Sequence, residues 1–219
     1  MELFEYKKVL PDSYWRARGV YIDEYSDIAD GVMLGANVCI DNSSIGSGSV
    51  IEWNSVINNS VIGELVRVRS SVVEDSTIGT SVTIGPFARI RDRARVGDGV
   101  RVGNFVEIKK SVVGAGCKVA HLAYIGDATL GDDCNVGCGV IFCNYNGAVK
   151  SQTKVGNNVF IGSNVNLIAP ISIADNAYIA AGSTVTDDVE EGDFVIARSR
   201  QVAKQNFKNP YLNRKKYKK

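Results

Sequence analysis

Aliphatic side chains return at a fixed interval along most of this chain. The interval is six residues in the longest unbroken run and shortens to five at a few places, such as Ile40 to Ile45 and Ile108 to Val113. The unbroken run consists of Ile78, Ile84, Ile90, Val96, Val102 and Ile108. An α-helix would repeat its apolar face about every 3.6 residues and a half-buried strand about every two, so neither explains this period. The pattern predicts an architecture built from a repeating unit of six residues.

Glycine supports this interpretation, because it follows many of the aliphatic residues, as in "IGSG", "TIGT", "RVGD" and "KVGN". An inward aliphatic followed by glycine at a corner is typical of three short strands joined by tight turns. Three six-residue units form one coil of eighteen positions, or seventeen where one interval is short. Stacked coils bury a continuous aliphatic column that one coil could not bury alone. We therefore predict an all-β fold, a parallel β-helix of hexapeptide repeats with about nine coils between residues 28 and 187.

The extent of the repeat divides the chain into segments. Residues 1–27 carry many aromatic residues, and we predict that they form a short cap over the open N-terminal end of the solenoid. Residues 28–198 are the predicted β-helix domain, from which a loop at 143–154 protrudes because its "NYNG" signals a turn and little in it can be buried. Residues 199–219 form an irregular basic tail that we expect to be solvated.

Composition excludes several classes of protein. The 219 residues carry a formal net charge of +1, which gives no reason to expect a nucleic-acid or membrane partner. No apolar run approaches the roughly 18 residues of a membrane helix and the N-terminus lacks a signal-peptide core, so we expect a cytoplasmic protein. The five cysteines form no C-x-x-C pair, which favours free thiols that pack as small apolar side chains. A zinc site from Cys134, Cys138 and Cys143 is an alternative that their spacing disfavours.

The coil length also places polar side chains above one another. Arg91 and Lys109 each follow a core isoleucine and stand one full coil apart, so two cations are predicted to lie on adjacent coils. Stacked cations repel each other unless an anion lies between them, and phosphate suits arginine and lysine. The alternative is that Glu107 or a nearby aspartate neutralises the two cations.

The only histidine, His121, lies in the same region of the chain. Coil arithmetic predicts two further columns, one of Arg89, Glu107 and Tyr124, and one of Asn104, His121 and Cys138. A lone histidine is more often a surface side chain than a catalyst. A base that titrates near neutral pH beside a phosphate-binding pair nevertheless favours activation of an amine or a hydroxyl.

Other chemistries are disfavoured by the residues present. Some hexapeptide-repeat proteins are zinc carbonic anhydrases, which need three histidines, and this chain has one. Neither a G-x-x-x-x-G-K-[ST] phosphate loop nor a G-x-S-x-G nucleophile elbow occurs in the sequence.

Several motifs in series make the chain recognisable. The segments "GPFARIR", "VGNFVEIKK", "AHLAYIGDATLGDDCNVG", "CNYNGAVK", "VFIGSNVNLIAPISI" and "AYIAAGSTVT" closely resemble the acetyltransferase half of the bacterial bifunctional enzyme that makes UDP-N-acetylglucosamine. That half transfers acetyl from acetyl-CoA to the amine of glucosamine 1-phosphate. The resemblance implies a left-handed β-helix and a homotrimer with sites between subunits. It also implies acetyl-CoA as co-substrate, an amino-sugar phosphate as acceptor and no need for a metal.

The resemblance further implies a role for individual side chains. The catalytic base falls on His121, and Glu107 resembles the carboxylate that orients it. The residues that hold the sugar phosphate fall on Arg91 and Lys109. The sugar contacts fall on Tyr124, Asn135 and Lys150. The acetyl-CoA contacts fall on Cys138, Asn144, Tyr145, Ser163, Ala181 and Arg198.

The chain departs from the family at two of these places. Cys138 stands where the family usually has alanine, and Asn146 stands where it usually has aspartate in "NYDG", which removes a charge near the substrate amine. The family's nucleotidyltransferase half is missing from this sequence. Two alternatives stay open, namely an acetyltransferase for another amino sugar or sugar nucleotide, and a solenoid subunit without catalytic activity.

Overall fold

The six-residue aliphatic period produces three sheets of short strands that wind around one core. The structure is a computed structural model and describes residues 2–207. Sheet 1 contains the strands Phe4–Glu5, Met33–Leu34, Val50–Ile51, Arg67–Val68, Thr83–Ile84, Arg101–Asn104, Lys118–His121, Asn135–Val136, Phe160–Ile161, Tyr178–Ile179 and Phe194–Val195. Sheet 2 contains Tyr21–Ile22, Cys39–Asp41, Val56–Asn58, Val72–Glu74, Arg89–Arg91, Glu107–Lys109, Tyr124–Gly126, Ile141–Cys143, Asn166–Ile168 and Thr184–Val185. Sheet 3 contains Asp27–Ile28, Ser44–Ile45, Val61–Ile62, Thr77–Ile78, Arg95–Val96, Val112–Val113, Ala128–Leu130, Thr153–Val155 and Ile171–Ile173.

Successive coils pair in parallel and in register, which confirms the predicted β-solenoid. Ile90 pairs with Ile108, and Ile108 pairs with Ile125, at steps of one coil. The aliphatic residues of the unbroken run are each at most 3% exposed, so they form the continuous core that the repeat predicts. The left-handed sense of the coil stays a prediction from the resemblance.

Corner residues reverse the chain between sheets and mostly adopt positive φ. Asparagine and aspartate are frequent there, as at Asn54 with φ 57° and Asp75 with φ 48°, because their short side chains tolerate the left-handed region. Four bulky apolar residues share this conformation, namely Leu65, Phe87, Phe105 and Leu122, with φ of 56°, 61°, 57° and 48°. Bulky side chains rarely occupy this region, so these corners are outliers.

The N-terminal segment, predicted as a cap over residues 1–27, packs against the first coils. The strand Phe4–Glu5 pairs antiparallel with Met33–Leu34, and the helix Asp12–Arg16 places Trp15, 5% exposed, against the core. Parallel pairing begins at Tyr21–Ile22 rather than at residue 28. Ile22 stands six residues before Ile28 and therefore already continues the period. The solenoid has ten strands in sheet 2 and thus one more coil than predicted.

The last strand among residues 2–207 lies close to the C-terminal end of the described chain. Phe194–Val195 is the last strand and pairs with Tyr178–Ile179, and residues 199–207 form no strand. Positions 208–219 of the predicted basic tail lie outside the described residues. Between residues 2 and 207 the structure contains no helix with the length and apolar character needed to cross a membrane.

The stacked core predicts a measurable stability effect. We expect Ile108→Ala, at a fully buried position, to lower the free energy of unfolding by about 2–5 kcal/mol, because it removes packing from both neighbouring coils. Thermal and urea unfolding would measure the change. Val112→Ala is the matched control, because Val112 is 43% exposed on the next strand, and it should cost less than about 1 kcal/mol. Equal losses in the two variants would contradict burial of the isoleucine column.

Candidate active site

Two cations stack at the end of adjacent strands in sheet 2, as the coil arithmetic predicts. Arg91 pairs in register with Lys109, and Lys109 pairs with Gly126 on the next coil. The neighbouring column pairs Arg89 with Glu107 and Glu107 with Tyr124, which is also the predicted order. The repeat therefore brings the candidate phosphate-binding residues together on one edge of the solenoid.

Carboxylates surround these cations in the ligand-free chain. Arg91 Nε donates to Glu107 Oε1 at 2.7 Å, and Arg91 Nη1 lies 3.0 Å from Asp92 Oδ2. Lys109 Nζ lies 3.7 Å from the same Asp92 oxygen and 3.8 Å from Asp127 Oδ2. The alternative left open by the spacing, neutralisation by Glu107 and a nearby aspartate, therefore holds within the chain. Phosphate binding by Arg91 and Lys109 stays a prediction.

Lys109 is the most enclosed cation of the group, with 8% of the residue exposed. A hydrogen bond with Lys150 and the charges of Asp127 and Asp92 raise the pKa of Lys109, although burial opposes them. The same hydrogen bond with Lys109 lowers the pKa of Lys150, because a second ammonium close by would repel the first. Lys109 thus keeps its proton.

The segment predicted as a protruding loop, residues 143–154, folds back onto this edge at Asn144. Asn144 is 7% exposed, and its Nδ2 donates to Asp127 Oδ2 at 2.6 Å and to the Tyr124 hydroxyl at 3.4 Å. Tyr145 and Lys150 form an isolated antiparallel bridge that closes the loop. The loop therefore adds Asn144 and Lys150 to the residues that the coils supply.

Gly126 allows Tyr124 to reach this group. A Cβ atom on Gly126 would collide with the Tyr124 hydroxyl and would lie 2.5 Å from Cζ of that ring, so the ring lies directly over the glycine. The absence of a side chain at residue 126 is what lets the Tyr124 hydroxyl approach Asn144.

We expect Gly126→Ala to displace the Tyr124 ring and to raise KM for the acceptor that the resemblance implies about tenfold, since a small misplacement of a positioning side chain is costly. Steady-state kinetics would measure the change, and circular dichroism would verify the fold. Tyr124→Phe is the companion variant, because it keeps the ring and removes only the hydroxyl. An unaltered KM in Gly126→Ala would remove Tyr124 from the site.

His121 is exposed at the end of its sheet 1 strand and is oriented by an amide. Its Nδ1 lies 2.8 Å from Asn104 Oδ1 on the preceding coil. A carbonyl oxygen only accepts, so Nδ1 carries the proton and Nε2 keeps its lone pair in the neutral ring. Glu107, expected to orient the histidine, instead binds Arg91. That expectation is corrected, because the carboxylate prefers the adjacent guanidinium and the ring already has a partner in its own column.

The other candidate acetyl-CoA contacts continue the column of His121. Gly139 N donates to His121 O at 3.2 Å, Asn164 N to Cys138 O at 2.7 Å, and Gly182 N to Ser163 O at 2.8 Å. These bonds place His121, Cys138, Ser163 and Ala181 one above another at the corner between sheets 1 and 2. Arg198 lies beside Gly182 at the C-terminal end of this column. A Cβ atom added to Gly182 would lie 3.5 Å from Arg198 Cδ.

Asn135 is the candidate that the structure places apart. It pairs with Lys118 and Phe160 in sheet 1, whereas Tyr124 lies in sheet 2 and Lys150 in the loop. Within one chain the candidate residues therefore form two groups, the cation edge of sheet 2 and the corner column of His121. Asn135 belongs to neither group.

Three charged residues of the edge are absent from the sequence predictions. Asp127 is 8% exposed and binds Lys110 at 3.4 Å as well as Lys109, and Asp92 bridges the two stacked cations. Coil arithmetic could have found Asp127, because it stands one short coil after Lys110. The same arithmetic places Asp92 in that column, one full coil before Lys110.

The two departures from the family have different surroundings. Asn146 Oδ1 accepts from Ala148 N at 3.0 Å and Val149 N at 2.9 Å, so the amide holds the turn as an aspartate would. Cys138 is exposed, whereas Cys117 and Cys134 are buried as expected of small apolar residues, and all five cysteines are free. In the part of the chain that is described, no three His, Cys, Asp or Glu side chains group as metal ligands would.

Comparison with known proteins agrees with the hexapeptide-repeat architecture. The family model described as bacterial transferase hexapeptide (six repeats) matches residues 75–110 and 152–187. The bifunctional protein GlmU of Clostridium kluyveri is 49% identical over 188 residues, which are 85% of this chain and 41% of that protein. The chain is a homologue of part of GlmU. The GlmU protein of Exiguobacterium sibiricum is 47% identical over 206 residues, covering 90% of this chain and 46% of its own length.

This homology confirms the resemblance drawn from the motifs. The chain spans less than half the length of the GlmU relatives it matches. Among solved structures, the UDP-N-acetylglucosamine acyltransferase of Francisella novicida superposes with a TM-score of 0.56 at 18% identity, covering 81% of this chain and 65% of that chain. At that identity the likeness shows the β-helical fold alone.

Proposed function

We propose that this chain transfers acetyl from acetyl-CoA to the amine of glucosamine 1-phosphate. The observation that carries the proposal is the in-register stacking of Arg91 and Lys109, with the Tyr124 ring lying over Gly126 beside them. A scaffold would not require this combination of groups. Homology to GlmU supplies the reaction to which the arrangement is suited.

The cations bind the phosphate of the acceptor in this proposal. The Arg91 guanidinium and the Lys109 ammonium donate hydrogen bonds to phosphate oxygens, and Arg91 adds planar, directional donors. Tyr124 and Lys150 contact the sugar from the same edge, and Asn135 contacts it from sheet 1. The charge on Lys109 is retained at neutral pH, because its pKa is raised in this environment.

Acetyl transfer then proceeds in one displacement. His121 Nε2 takes a proton from the acceptor ammonium or attacking amine, and the amine nitrogen attacks the thioester carbonyl carbon. The carbon–sulfur bond breaks, and coenzyme A leaves as a thiolate. Holding amine and thioester together lowers the barrier further. Acetyl-CoA lies along the corner column of Cys138, Ser163 and Ala181 towards Arg198, and no step requires a metal.

The developing oxyanion needs a donor, which we assign to the loop. The amide of Asn144 already donates to Phe142 O at 2.9 Å. The neighbouring Tyr145 amide is therefore the donor in this proposal, acting as a preorganised dipole.

Exposed apolar corners support assembly of the chain as a homotrimer. Phe87 and Phe105 stack with ring centroids 5.5 Å apart, yet they are 60% and 54% exposed, and Leu122 is 58% exposed. They occupy corners next to the column of Asn104 and His121, and contiguous exposed apolar side chains mark interaction surfaces. A neighbouring copy seated there would also bring a second face of the solenoid, such as that of Asn135, towards His121.

Release of coenzyme A thiol with a panel of amino sugars tests the proposal. We expect turnover with glucosamine 1-phosphate and much less with glucosamine, glucosamine 6-phosphate or an amino sugar linked to a nucleotide. If the chain preferred a nucleotide-linked amino sugar, that compound and not glucosamine 1-phosphate would be the acceptor. A failure to bind acetyl-CoA in calorimetry would favour a solenoid subunit without catalytic activity.

A further inference from the structure

The position between the two stacked cations already holds an anion supplied by the chain. A single oxygen, Asp92 Oδ2, lies 3.0 Å from Arg91 Nη1 and 3.7 Å from Lys109 Nζ. One oxygen shared by a guanidinium and an ammonium is the geometry that an oxygen of a bound phosphate would adopt. Asp92 therefore takes the place that the proposed function assigns to the acceptor phosphate.

Asp92 takes the corner position that Lys110 and Asp127 take on the next two coils, and its corner contains one residue more than theirs. The step from Ile90 to Val96 is six residues, whereas the equivalent steps from Ile108 to Val113 and from Ile125 to Leu130 are five. Two consecutive residues, Asp92 and Arg93, have positive φ of 57° and 62°. Insertions that re-aim side chains are common near functional sites, as β-bulges illustrate.

Asp92 is not needed to hold the cations in place. Arg91 keeps its 2.7 Å bond to Glu107, and Lys109 keeps Asp127 at 3.8 Å. The Asp92 side chain is 44% exposed, compared with 10% for that of Asp127. It can therefore turn into solvent at small cost when another anion arrives.

The charge balance of the edge gives Asp92 its effect. Three cations, Arg91, Lys109 and Lys110, are matched by three carboxylates, Asp92, Glu107 and Asp127. An open cavity of about 580 Å³ adjoins them and is lined by Asn59, Asp75, Asp92, Arg93, Lys109 and Lys110. The lining contains three cations and two carboxylates, so a phosphate that enters meets cations whose charge is largely offset until Asp92 moves away.

We propose that Asp92 is an internal competitor of the acceptor phosphate and so sets the affinity and selectivity of the site. The inference rests on the proposed function, because it takes Arg91 and Lys109 as the phosphate ligands. A phosphate displaces the carboxylate because it brings more charge and more acceptor oxygens. A neutral sugar does not displace it and leaves the ion pairs intact.

The test is the binding of inorganic phosphate to wild type and to Asp92→Asn, measured by calorimetry at low ionic strength. Asparagine keeps the size of the side chain and tolerates positive φ, so the corner is preserved. We expect the Kd for phosphate to fall about tenfold, because the variant removes a competing charge next to both cations. KM for glucosamine 1-phosphate should fall by a similar factor with kcat unchanged.

Asp75→Asn is the matched control. Asp75 lines the same cavity, accepts from Asn59 Nδ2 at 2.6 Å and forms no ion pair with either stacked cation, so its Kd for phosphate should change less than twofold. If wild type binds phosphate through Lys109 and Asp92→Asn binds it equally or more weakly, the competitor role is wrong and the proposed function stands. If wild type and Asp92→Asn both bind neither phosphate nor glucosamine 1-phosphate, the phosphate site and the inference built on it are both overturned.

Discussion

Replacement of His121 by alanine is expected to lower kcat by about 100- to 10,000-fold, because the acceptor amine then loses its general base. The structure leaves Nε2 available for that proton, since Nδ1 is held by Asn104 at 2.8 Å. The side chain is exposed and belongs to no core contact, so the variant should fold and unfold like wild type. Thiol release kinetics and acetyl-CoA calorimetry measure the two halves of the prediction, a lost kcat and an unchanged Kd.

Lys118→Ala serves as the control for this experiment. Lys118 lies in the same strand as His121, is exposed and carries no proposed role. Its removal should leave kcat within about twofold. A His121→Ala enzyme with near-normal kcat would end the assignment of the base.

Lys109→Ala should raise KM for glucosamine 1-phosphate about 100-fold, because one of the two phosphate cations is gone. It should also destabilise the chain by about 1–3 kcal/mol, since the buried Asp127 loses a charge partner. Acceptor-dependent kinetics and urea unfolding separate these two effects.

Lys110→Ala is the control that separates the loss of phosphate binding from the loss of the ion pair with Asp127. Lys110 also pairs with Asp127, at 3.4 Å, but its side chain is 59% exposed and it is not stacked on Arg91. We expect little change in KM for this variant. If Lys109→Ala left KM unchanged, or if Lys110→Ala raised it equally, the phosphate role of Lys109 would be lost.

Much of the fold could be predicted because a coil of constant length converts sequence distance into adjacency. The pairs Ile90 with Ile108, Arg91 with Lys109, and Asn104 with His121 all follow from steps of one coil along the sequence. The predicted start of the solenoid is too late, because Ile22 is surrounded by tyrosines and charges that obscure the period.

The candidate site could be predicted only where it follows the coils. Asn144 still follows the coil spacing, because it stands 17 residues after Asp127. Lys150 lies in the loop outside the repeat, and no spacing rule places a loop. Glu107 illustrates a second limit, because its carboxylate could turn towards a histidine or an arginine. Its hydrogen bond to Arg91 depends on side-chain rotamers that the period does not determine.

The coil that contains the loop shows how such a protein can change its substrate. Tyr124 pairs with Ile141 after a coil of ordinary length, whereas Ile141 pairs with Asn166 only after the whole loop has intervened. The strands before and after the loop nevertheless keep their register, so the added chain length is absorbed outside the ladder and does not move Arg91 or Lys109. The loop can therefore be exchanged independently of the coils. A loop of different length would bring other side chains close to the cations, while the rest of the solenoid would fold unchanged.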